Sequence, residues 1–550
     1  MKALPWRSCC QRRVSCSTHV PLKPANSAHL PGLEPIRHKG TTSYTSSSVT
    51  APDRNLQQVK TSPAWTRKAT PLSSFAVGQP GKLPGIRPRS TAYIALGSNL
   101  GDRIDWIEKA CRRLAQVNGT KILRTSSLWE TDPMYVLDQD KFINGVCEIS
   151  TILTPIQLLN TLQQIETDLG REKVVDKGPR NIDLDILLYG NKQVDVPRLQ
   201  IPHPLMQERE FVLRPLAELV PAMAIDPKSP WKTTQDYLNA LPPSSAPMTT
   251  ITPLGGSEEP IRALKANRKT RVMAIMNLTP DSFSDGGQIF NLVGPDVSPD
   301  AVKTTVKFAL KRGASILDIG GQSTAPGRQQ GGPEMEISRI LPPIKAMRNA
   351  DHYWCTGLIS VDTYHAAVAE AAVEAGADII NDISAGQLDP DMLPTMARLG
   401  KTVCLMHMRG CPLTMNKPFF RKYPEGLIPT VAKELLERVA EAEAAGIYRW
   451  RIILDPGIGF AKEGHQALEI LRGLDELRNW PGLRGLPWLL GVSRKSFIGQ
   501  ITGIKNAADR QYGTAAAVAA SIYGGADIIR VHDVKQMAEV AKVTDAIWRV

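Results

Sequence analysis

From Arg271 to the C-terminus, short apolar runs alternate with longer helical stretches eight times over, and few folds accept that order. The runs are Val272–Met276, Ile316–Ile319, Leu358–Val361, Ile379–Asn381, Val403–Met406, Ile452–Leu454, Trp488–Val492 and Ile528–Val531. Most are continuously aliphatic, without the alternation of a half-exposed strand, which is the pattern of parallel strands covered on both faces. Segments such as HAAVAEAAVEAGA and TVAKELLERVAEAEAAG separate them with helical periodicity. Eight strand–helix units in about 280 residues predict a TIM (β/α)8 barrel.

Each run gives way to polar residues. The exits read Asn277, Gly320-Gly321-Gln322-Ser323-Thr324, Asp362-Thr363, Asn381-Asp382, His407-Met408-Arg409, Asp455-Pro456-Gly457, Ser493-Arg494-Lys495 and Arg530-Val531-His532. The C-terminal ends of barrel strands share one face, and barrels build their sites there. The first exit, inside MAIMNLTPDSFSDGG (273–287), is by itself as consistent with a plain turn, because Asn, Pro, Asp, Ser and Gly all form turns. Seven companions on one face make it part of a site.

Composition changes near Ser90 and again over 241–259, where LPPSSAPMTTITPLGGSEE reads as a flexible linker. The organisation expected is therefore a leader (1–90), an α+β unit (91–240), a linker (241–268) and the barrel (269–550). Within the α+β unit, Tyr93–Leu96, Phe142–Ile152 and Ile182–Tyr189 read as strands, and Arg103–Ala115 and Pro155–Leu169 as helices, enough for one sandwich. In NIDLDILLYG, Asp183 and Asp185 stand two apart on a strand, so their carboxylates project to one side. That arrangement suits Mg²⁺ bridging nucleotide phosphates, although an isolated pair is more often a solvated strand face. The phosphate-loop pattern GxxxxGK[ST] is absent.

The net charge of +12 is confined to the leader. Residues 1–90 hold fourteen Lys and Arg against only Glu34 and Asp53, which leaves 52 groups of each sign elsewhere. A neutral body offers no basic face to a nucleic acid backbone. A leader rich in Ser, Thr and Pro, with Arg7, Arg12 and Arg13 ahead of any acid, has the composition of an organellar transit peptide. A mitochondrial destination is expected, with plastid or cytosol as alternatives. The longest charge-free apolar candidate, Gln511–Ala526, is too short to span a bilayer and reads as a barrel helix. The eight cysteines show no paired metal spacing, which points to a reducing compartment.

The barrel motifs NLTPDSFSDGG, GGQSTAPG, SVDT, NDIS, MHMRG, DPGIGFAK, GVSRKS and RVHD together resemble dihydropteroate synthase over essentially all of 270–550. The resemblance implies joining p-aminobenzoate to a dihydropterin methyl pyrophosphate with release of pyrophosphate. It places Asp362, Asn381 and Asp455 on the donor–acceptor edge of the pterin, Lys495 on its ring and Met408 packed against it. Arg530, His532 and Thr324 fall at the pyrophosphate, Asn277 on its Mg²⁺, and Phe283, Phe460 and Ser493 in the aminobenzoate pocket. One departure stands out: the family commonly reads STRPG where this chain has Ser323-Thr324-Ala325-Pro326-Gly327, so Arg328 is left to supply the missing charge.

Upstream, IALGSNLGDR, Gly178-Pro179-Arg180 and PRLQIPHPLMQEREFVLRPL (197–216) resemble 6-hydroxymethyl-7,8-dihydropterin pyrophosphokinase across about 92–240. This implies a ferredoxin-like sandwich with ATP as co-substrate and two Mg²⁺ on Asp183 and Asp185. Arg171, Arg180, Arg198, His203 and Arg209 would meet the phosphates or nucleotide, with Glu166 near the nucleotide. Thr131, Pro133, Phe142, Asn144 and Phe211 would hold the pterin. Position 177 is Lys where a tryptophan often sits in bacterial relatives. The two resemblances imply consecutive steps of folate biosynthesis in a plant-type layout, small-molecule partners only, and a homo-oligomer formed through the barrel. A corrinoid-dependent methyltransferase barrel shares the pterin carboxylates, but Asn277–Gly287 and Lys495 argue against it.

Overall fold

The computed structural model describes residues 88–550 apart from 135–137, 172–177, 245, 257, 280–298, 323–330 and 350–356. The leader as far as residue 87, with Phe283, Thr324, Ala325 and Arg328, lies outside the described residues.

Five strands, β1 (Ser90–Ser98), β2 (Thr120–Thr125), β3 (Leu128–Thr131), β4 (Phe142–Thr151) and β5 (Asp183–Tyr189), form most of an antiparallel sheet. A hairpin of β6 (Val194–Val196) and β7 (Leu199–Ile201) stands apart from it, and β8 (Thr249–Ile251) completes its edge. The order is β5-β1-β4-β3-β8, with β2 also paired to β4. With β2 and β3 taken as one broken edge strand, the β-α-β-β-α-β run matches the expected ferredoxin-like sandwich. Strand geometry makes it two-sided. Tyr93 and Ile94 are neighbours in sequence yet enter opposite cores. Helices α1 (Arg103–Gln116) and α2 (Pro155–Asp168) cover the Ile94 face with Ile107, Leu114, Leu158 and Leu162. Helices α3 (Glu210–Leu219) and α4 (Thr234–Ala240) cover the other. The start of α2 is held by a reciprocal cap, Thr154 with Gln157, and by Pro155 in its first turn.

The barrel strands are β9 (Arg271–Asn277), β10 (Ile316–Gly320), β11 (Leu358–Asp362), β12 (Ile379–Asp382), β13 (Thr402–Met406), β14 (Ile452–Asp455), β15 (Leu489–Leu490) and β16 (Ile528–Val531). They pair in parallel in the order β14-β13-β12-β11-β10-β9-β16-β15, and a parallel bridge between Leu454 and Trp488 closes the ring. Outside it run α5 (Pro299–Lys311), α6 (Pro333–Arg348), α7 (Ala366–Glu374), α8 (Met392–Leu399) and α9 (Leu427–Ala445). The ring continues with α10 (Gly464–Arg472), α11 (Leu474–Arg478), α12 (Ser496–Thr502), α13 (Gln511–Tyr523) and α14 (Val534–Trp548). All eight expected strands are present, because burial on both faces makes each a continuous apolar run.

The stretch read as a flexible linker is largely built into the structure. Thr249–Ile251 pairs with β3, and Thr250 Oγ1 donates to Gly485 O of the barrel at 2.7 Å. Leu254, Ile261 and Ala263 then plug the N-terminal end of the barrel against Met273, Ile316, Leu358, Ile379, Cys404, Ile453, Leu489 and Ile528. Its apolar residues are hidden in the sequence by the Pro, Ser and Gly around them.

The sandwich docks near that same end. The short turn Arg449–Arg451, just before β14, sends Trp450 into the α1/α2 core. Glu108 of α1 accepts from Trp450 Nε1 at 2.9 Å and from Arg451 Nε and Nη2 at 2.7 and 2.9 Å. Removing the acceptor strands three N–H donors on two residues, so Glu108→Ala is expected to cost about 1–3 kcal/mol. Glu108→Gln, which keeps an acceptor, should cost less. Urea unfolding of both variants checks this, and equal losses would assign the effect to the Glu108 charge rather than to its role as acceptor.

Candidate functional sites

Side chains two residues apart on a strand face the same way, so the barrel interior can be followed upward from the apolar plug. Two residues beyond that layer stand Ile275, Asp318, Ser360, Asn381, Met406, Asp455, Gly491 and Arg530. Two further on are Asn277, Gly320, Asp362, Ile383, Met408, Gly457, Ser493 and His532. The interior thus turns polar toward the C-terminal face. There, Asp362, Asn381, Asp455, Phe460, Ser493, Lys495, Arg530 and His532 line one small cavity with Ile275, Ile383 and Met406.

Arg530 ties this cavity together. Its Nε lies 2.5 Å from Asp318 Oδ2 and its Nη2 lies 2.5 Å from Asp362 Oδ2. Asn381 Nδ2 donates to Asp318 at 3.2 Å. Arg530 was expected at the pyrophosphate, but its guanidinium is engaged by two carboxylates, and Asp362 Oδ1 has no hydrogen-bond partner among the described residues. Burial pushes Asp362 up to about 7 against the pull of Arg530, with Asp318 and Asp382 adding to the rise. Burial likewise raises Asp455 to about 6, although Gly457 N–H donates to it at 2.7 Å.

Lys495 Nζ donates to Ile458 O at 2.8 Å and sits 4.5 Å from the Phe460 ring centre. Burial lowers it to about 8. His532 is lowered to about 3 by burial and by Arg494, Arg530 and Lys495, so its ring is neutral and could meet pyrophosphate only as an N–H donor. Its Nδ1 is 3.0 Å from Ser493 Oγ. Asn277 and Asp362 flank Gly320, where an added Cβ would stand 3.5 Å from each. Met408 packs with Tyr364, Ile383, Met406 and Phe460, and it lines a neighbouring groove rather than the cavity itself. Thr324 and Phe283 lie outside the described residues.

The second site is a cleft of about 330 Å³ in the sandwich, within the usual range for small-molecule pockets. Thr131, Phe142, Asn144 and Phe211 line it together with Asp183, Asp185, Arg171, Arg180, His203 and Arg209. Asn144 Nδ2 donates to Thr131 Oγ1 at 2.9 Å. The carboxylate pair has one bound and one open member. Asp183 pairs with Arg171 at 2.8 Å and Arg180 at 2.9 Å. Asp185 faces the open cleft, and the surrounding protein together with Asp183 raises it to about 6.

Three expected residues stand elsewhere. Glu166 lies beneath the pair, where it accepts from Leu184 N–H at 2.7 Å and binds Arg171; it supports the site rather than lining it. Burial pushes it up to about 7. Pro133 lies between cleft residues Asp132 and Met134 without lining the cleft. Arg198 lines an adjoining hollow that shares Asp185 and His203 with the cleft, and it donates to Asn160 Oδ1 at 2.9 Å. Among the described residues no three His, Cys, Asp or Glu converge as a ready-made metal cage. A pair is what Mg²⁺ requires when substrate phosphates and water complete its shell.

Asp318, fully buried, is the residue that sequence reading missed. It sits inside an apolar run rather than at an exit. The available signal was an acid at an inward strand position, two before Gly320.

Two family models match the chain in tandem: 7,8-dihydro-6-hydroxymethylpterin-pyrophosphokinase over residues 93–221 and pterin binding enzyme over 273–532. A folic acid synthesis protein of Pneumocystis carinii is 46% identical over 458 residues, which cover 83% of this chain and 60% of that protein. Mitochondrial folate synthesis bifunctional proteins of Arabidopsis thaliana and Pisum sativum are 39% and 41% identical. Those matches cover 84% and 83% of this chain and 85% and 89% of theirs. The chain therefore spans about 60% of the fungal relative's length but most of the plant ones. The crystal structure of Plasmodium falciparum HPPK-DHPS with pteroate superposes with a TM-score of 0.68 at 22% identity, covering 84% of this chain and 98% of the other. An HPPK-DHPS structure in complex with substrates gives 0.69 at 21%, covering 84% and 100%. At such identities the likeness establishes the fold, a sandwich followed by a barrel.

Proposed function

Because the chain belongs to the family of bifunctional folate synthesis proteins, we propose that it carries out two consecutive transfers on one pterin. In the sandwich, the hydroxymethyl oxygen of 6-hydroxymethyl-7,8-dihydropterin takes the terminal pyrophosphoryl group of ATP and AMP leaves. In the barrel, the amine of p-aminobenzoate bonds to the pterin methylene as its C–O bond breaks. Pyrophosphate departs, the amine loses a proton, and 7,8-dihydropteroate results.

The observation that carries the reading is the pairing of two sites of matched chemistry in one chain. One cleft joins aromatic and amide groups to a carboxylate pair and three arginines. The other is a polar barrel mouth centred on Asp362, Asn381, Asp455 and Lys495.

In the cleft, Phe142 and Phe211 offer faces for a flat ring, and Thr131 and Asn144 offer polar contacts. Asp183 and Asp185 would hold Mg²⁺, which supplies charge neutralisation for the phosphates. Arg171 and Arg180 now neutralise Asp183. On substrate binding they turn to phosphate oxygens, with Arg209, while His203 and Arg198 serve the adjoining nucleotide hollow. Pro133 and Glu166 act from behind this lining.

In the barrel, Asp455, Asn381 and the Oδ1 of Asp362, without a partner among the described residues, meet the pterin edge, and Asp362 opposes the positive charge that develops as pyrophosphate leaves. Lys495 and Met408 border the ring. Phe460 and Ser493 would serve aminobenzoate, and neutral His532 with any free edge of the Arg530 guanidinium would serve pyrophosphate; the parts expected of Phe283 and Thr324 fall on residues outside those described. Asn277 alone is a weak Mg²⁺ ligand and serves only if pyrophosphate oxygens complete the shell.

The test is direct. Purified chain with Mg²⁺, ATP and the hydroxymethyl pterin should release AMP, and adding p-aminobenzoate should yield dihydropteroate. Absence of either product would sink that half. The barrel step should also show a bell-shaped pH profile in kcat/KM. Its acid limb, at about 6–7, reports ionisation of Asp455 and Asp362, and its alkaline limb, at about 8, reports loss of the Lys495 charge. A profile flat from pH 5 to 9 would contradict the roles given to these groups.

The same reading includes a mitochondrial destination and a homo-oligomer. The basic leader supports the first, and import of a reporter fused to residues 1–90 tests it. Exposed Tyr512, Tyr523, Val543, Ile547 and Trp548 on α13 and α14 support the second. Sedimentation velocity of Trp548→Glu, expected to run smaller than the parent, tests that.

A further inference from the structure

We propose that Lys462 is a positioning residue for the barrel reaction, holding in place the loop on which Lys495 is anchored. The proposal rests on the functional reading above. Lys462 is almost fully buried, 5% exposed, and ends the run Pro456–Lys462 that follows β14. Its ammonium is surrounded by acceptors: His407 Nδ1 at 2.8 Å, Gly457 O and Phe460 O at 3.1 Å each, and His407 O at 3.4 Å.

That network assigns its own protons. An ammonium donating to Nδ1 leaves His407 neutral, with its proton on Nε2, which faces Glu434 Oε2 at 2.8 Å. Arg409 binds the same carboxylate from the other side. The chain carboxylate–imidazole–ammonium is therefore satisfied at every link, and burial accounts for the lowering of both His407 and Lys462.

The loop that Lys462 closes carries much of the site. Gly457 N–H caps Asp455, Ile458 O accepts from Lys495 Nζ, and the Phe460 ring lies under that ammonium. The loop is pressed against β13, because a Cβ at Gly457 (φ +66°) would collide with the His407 carbonyl. Ala461, at φ +49°, sits in a conformation that non-glycine residues rarely adopt. A loop bent this way needs a tether, and Lys462 binds two of its carbonyls at once. Around Lys495 itself stand Asp455, Asp362 and Arg530; around Lys462 stand Asp455, Glu434, Arg409 and Lys495.

The experiment uses the full chain with Lys462→Met, which keeps length and removes every hydrogen bond. Dihydropteroate formation is expected to fall about 10- to 100-fold, the scale of a misplaced catalytic group. The alkaline limb should rise by about half a pH unit or more, because burial is what lowers Lys495 and the freed side chain escapes it. AMP release by the sandwich should stay unchanged, which controls for folding. A crystal structure of the variant should show Lys495 Nζ detached from Ile458 O. His407→Gln, which leaves Lys462 its carbonyl acceptors, should cost less than about tenfold. An unmoved alkaline limb with Lys495 still on Ile458 O would overturn the proposal. So would a loss of AMP release in parallel, or an equal loss in His407→Gln. If the parent chain itself makes no dihydropteroate, the functional reading fails instead, and the crystal structure alone decides the positioning.

Discussion

Asp185→Ala should end AMP release while leaving dihydropteroate synthesis from supplied dihydropterin pyrophosphate intact, and Lys495→Ala should do the reverse. Asp185 is the member of the β5 pair that faces the open cleft, whereas Asp183 is held by Arg171 and Arg180. Removing Asp185 takes away a cation ligand without disturbing an ion pair among the described residues. The expected loss is about 10²–10³-fold, the scale of deleting one group that stabilises transition-state charge. Lys495 lies at the opposite end of the barrel from the apolar plug, on the loop after β15, so its loss cannot reach the sandwich through any shared contact. A coupled assay with both variants reads the two activities side by side. Loss of both in either variant would refute the division of labour.

The second large effect is on stability. Arg530→Met should destabilise the barrel by about 3–5 kcal/mol, the usual cost of breaking a buried ion pair from one side. Asp318 is fully buried and Asp362 nearly so, and Arg530 is their shared counter-ion. The deficit should depend on pH, with a definite sign. Asp362 already has its folded value raised to about 7, and burial is the main cause. Removing Arg530 removes the strongest opposing influence, so the carboxyl climbs further. A group whose folded value lies above its unfolded value, about 4 for Asp, keeps its proton in the folded state while the unfolded chain ionises. Stability then falls as pH rises through that window. Denaturant unfolding of Arg530→Met should therefore show a larger deficit at pH 8 than at pH 5, and Asp362→Asn in the same chain should recover part of it. A deficit independent of pH would mean the arginine acts by packing instead.

How far the chain could be read from its residues depended on how local the cause was. The eight barrel strands were legible because double-sided burial writes each as an unbroken apolar run. Their exits were legible because polar residues collect where those runs stop. Asp183 and Asp185 could be placed on one side of β5 from spacing alone. The edge of the sandwich was not legible, since Thr120–Thr131 mixes Lys, Arg and Ser with its apolar residues and shows neither period cleanly. β8 was hidden for a different reason: its partner, β3, lies over a hundred residues away, and Pro, Ser and Gly flank it.

Residue types, spacing and order were enough to determine the barrel, the α+β unit before it, the face that carries the polar exits, and the family resemblance. Those come from local burial and from strand geometry. Only the tertiary structure decided which groups hold one another. It set Arg530 between Asp318 and Asp362, put Glu166 beneath the Asp183/Asp185 pair, left His532 neutral, and drew the supposed linker into the sheet and the barrel floor. Charge state and pairing depend on which side chains share a dry space, and residues as far apart in sequence as Asp318 and Arg530 meet only because β10 and β16 both pair with β9.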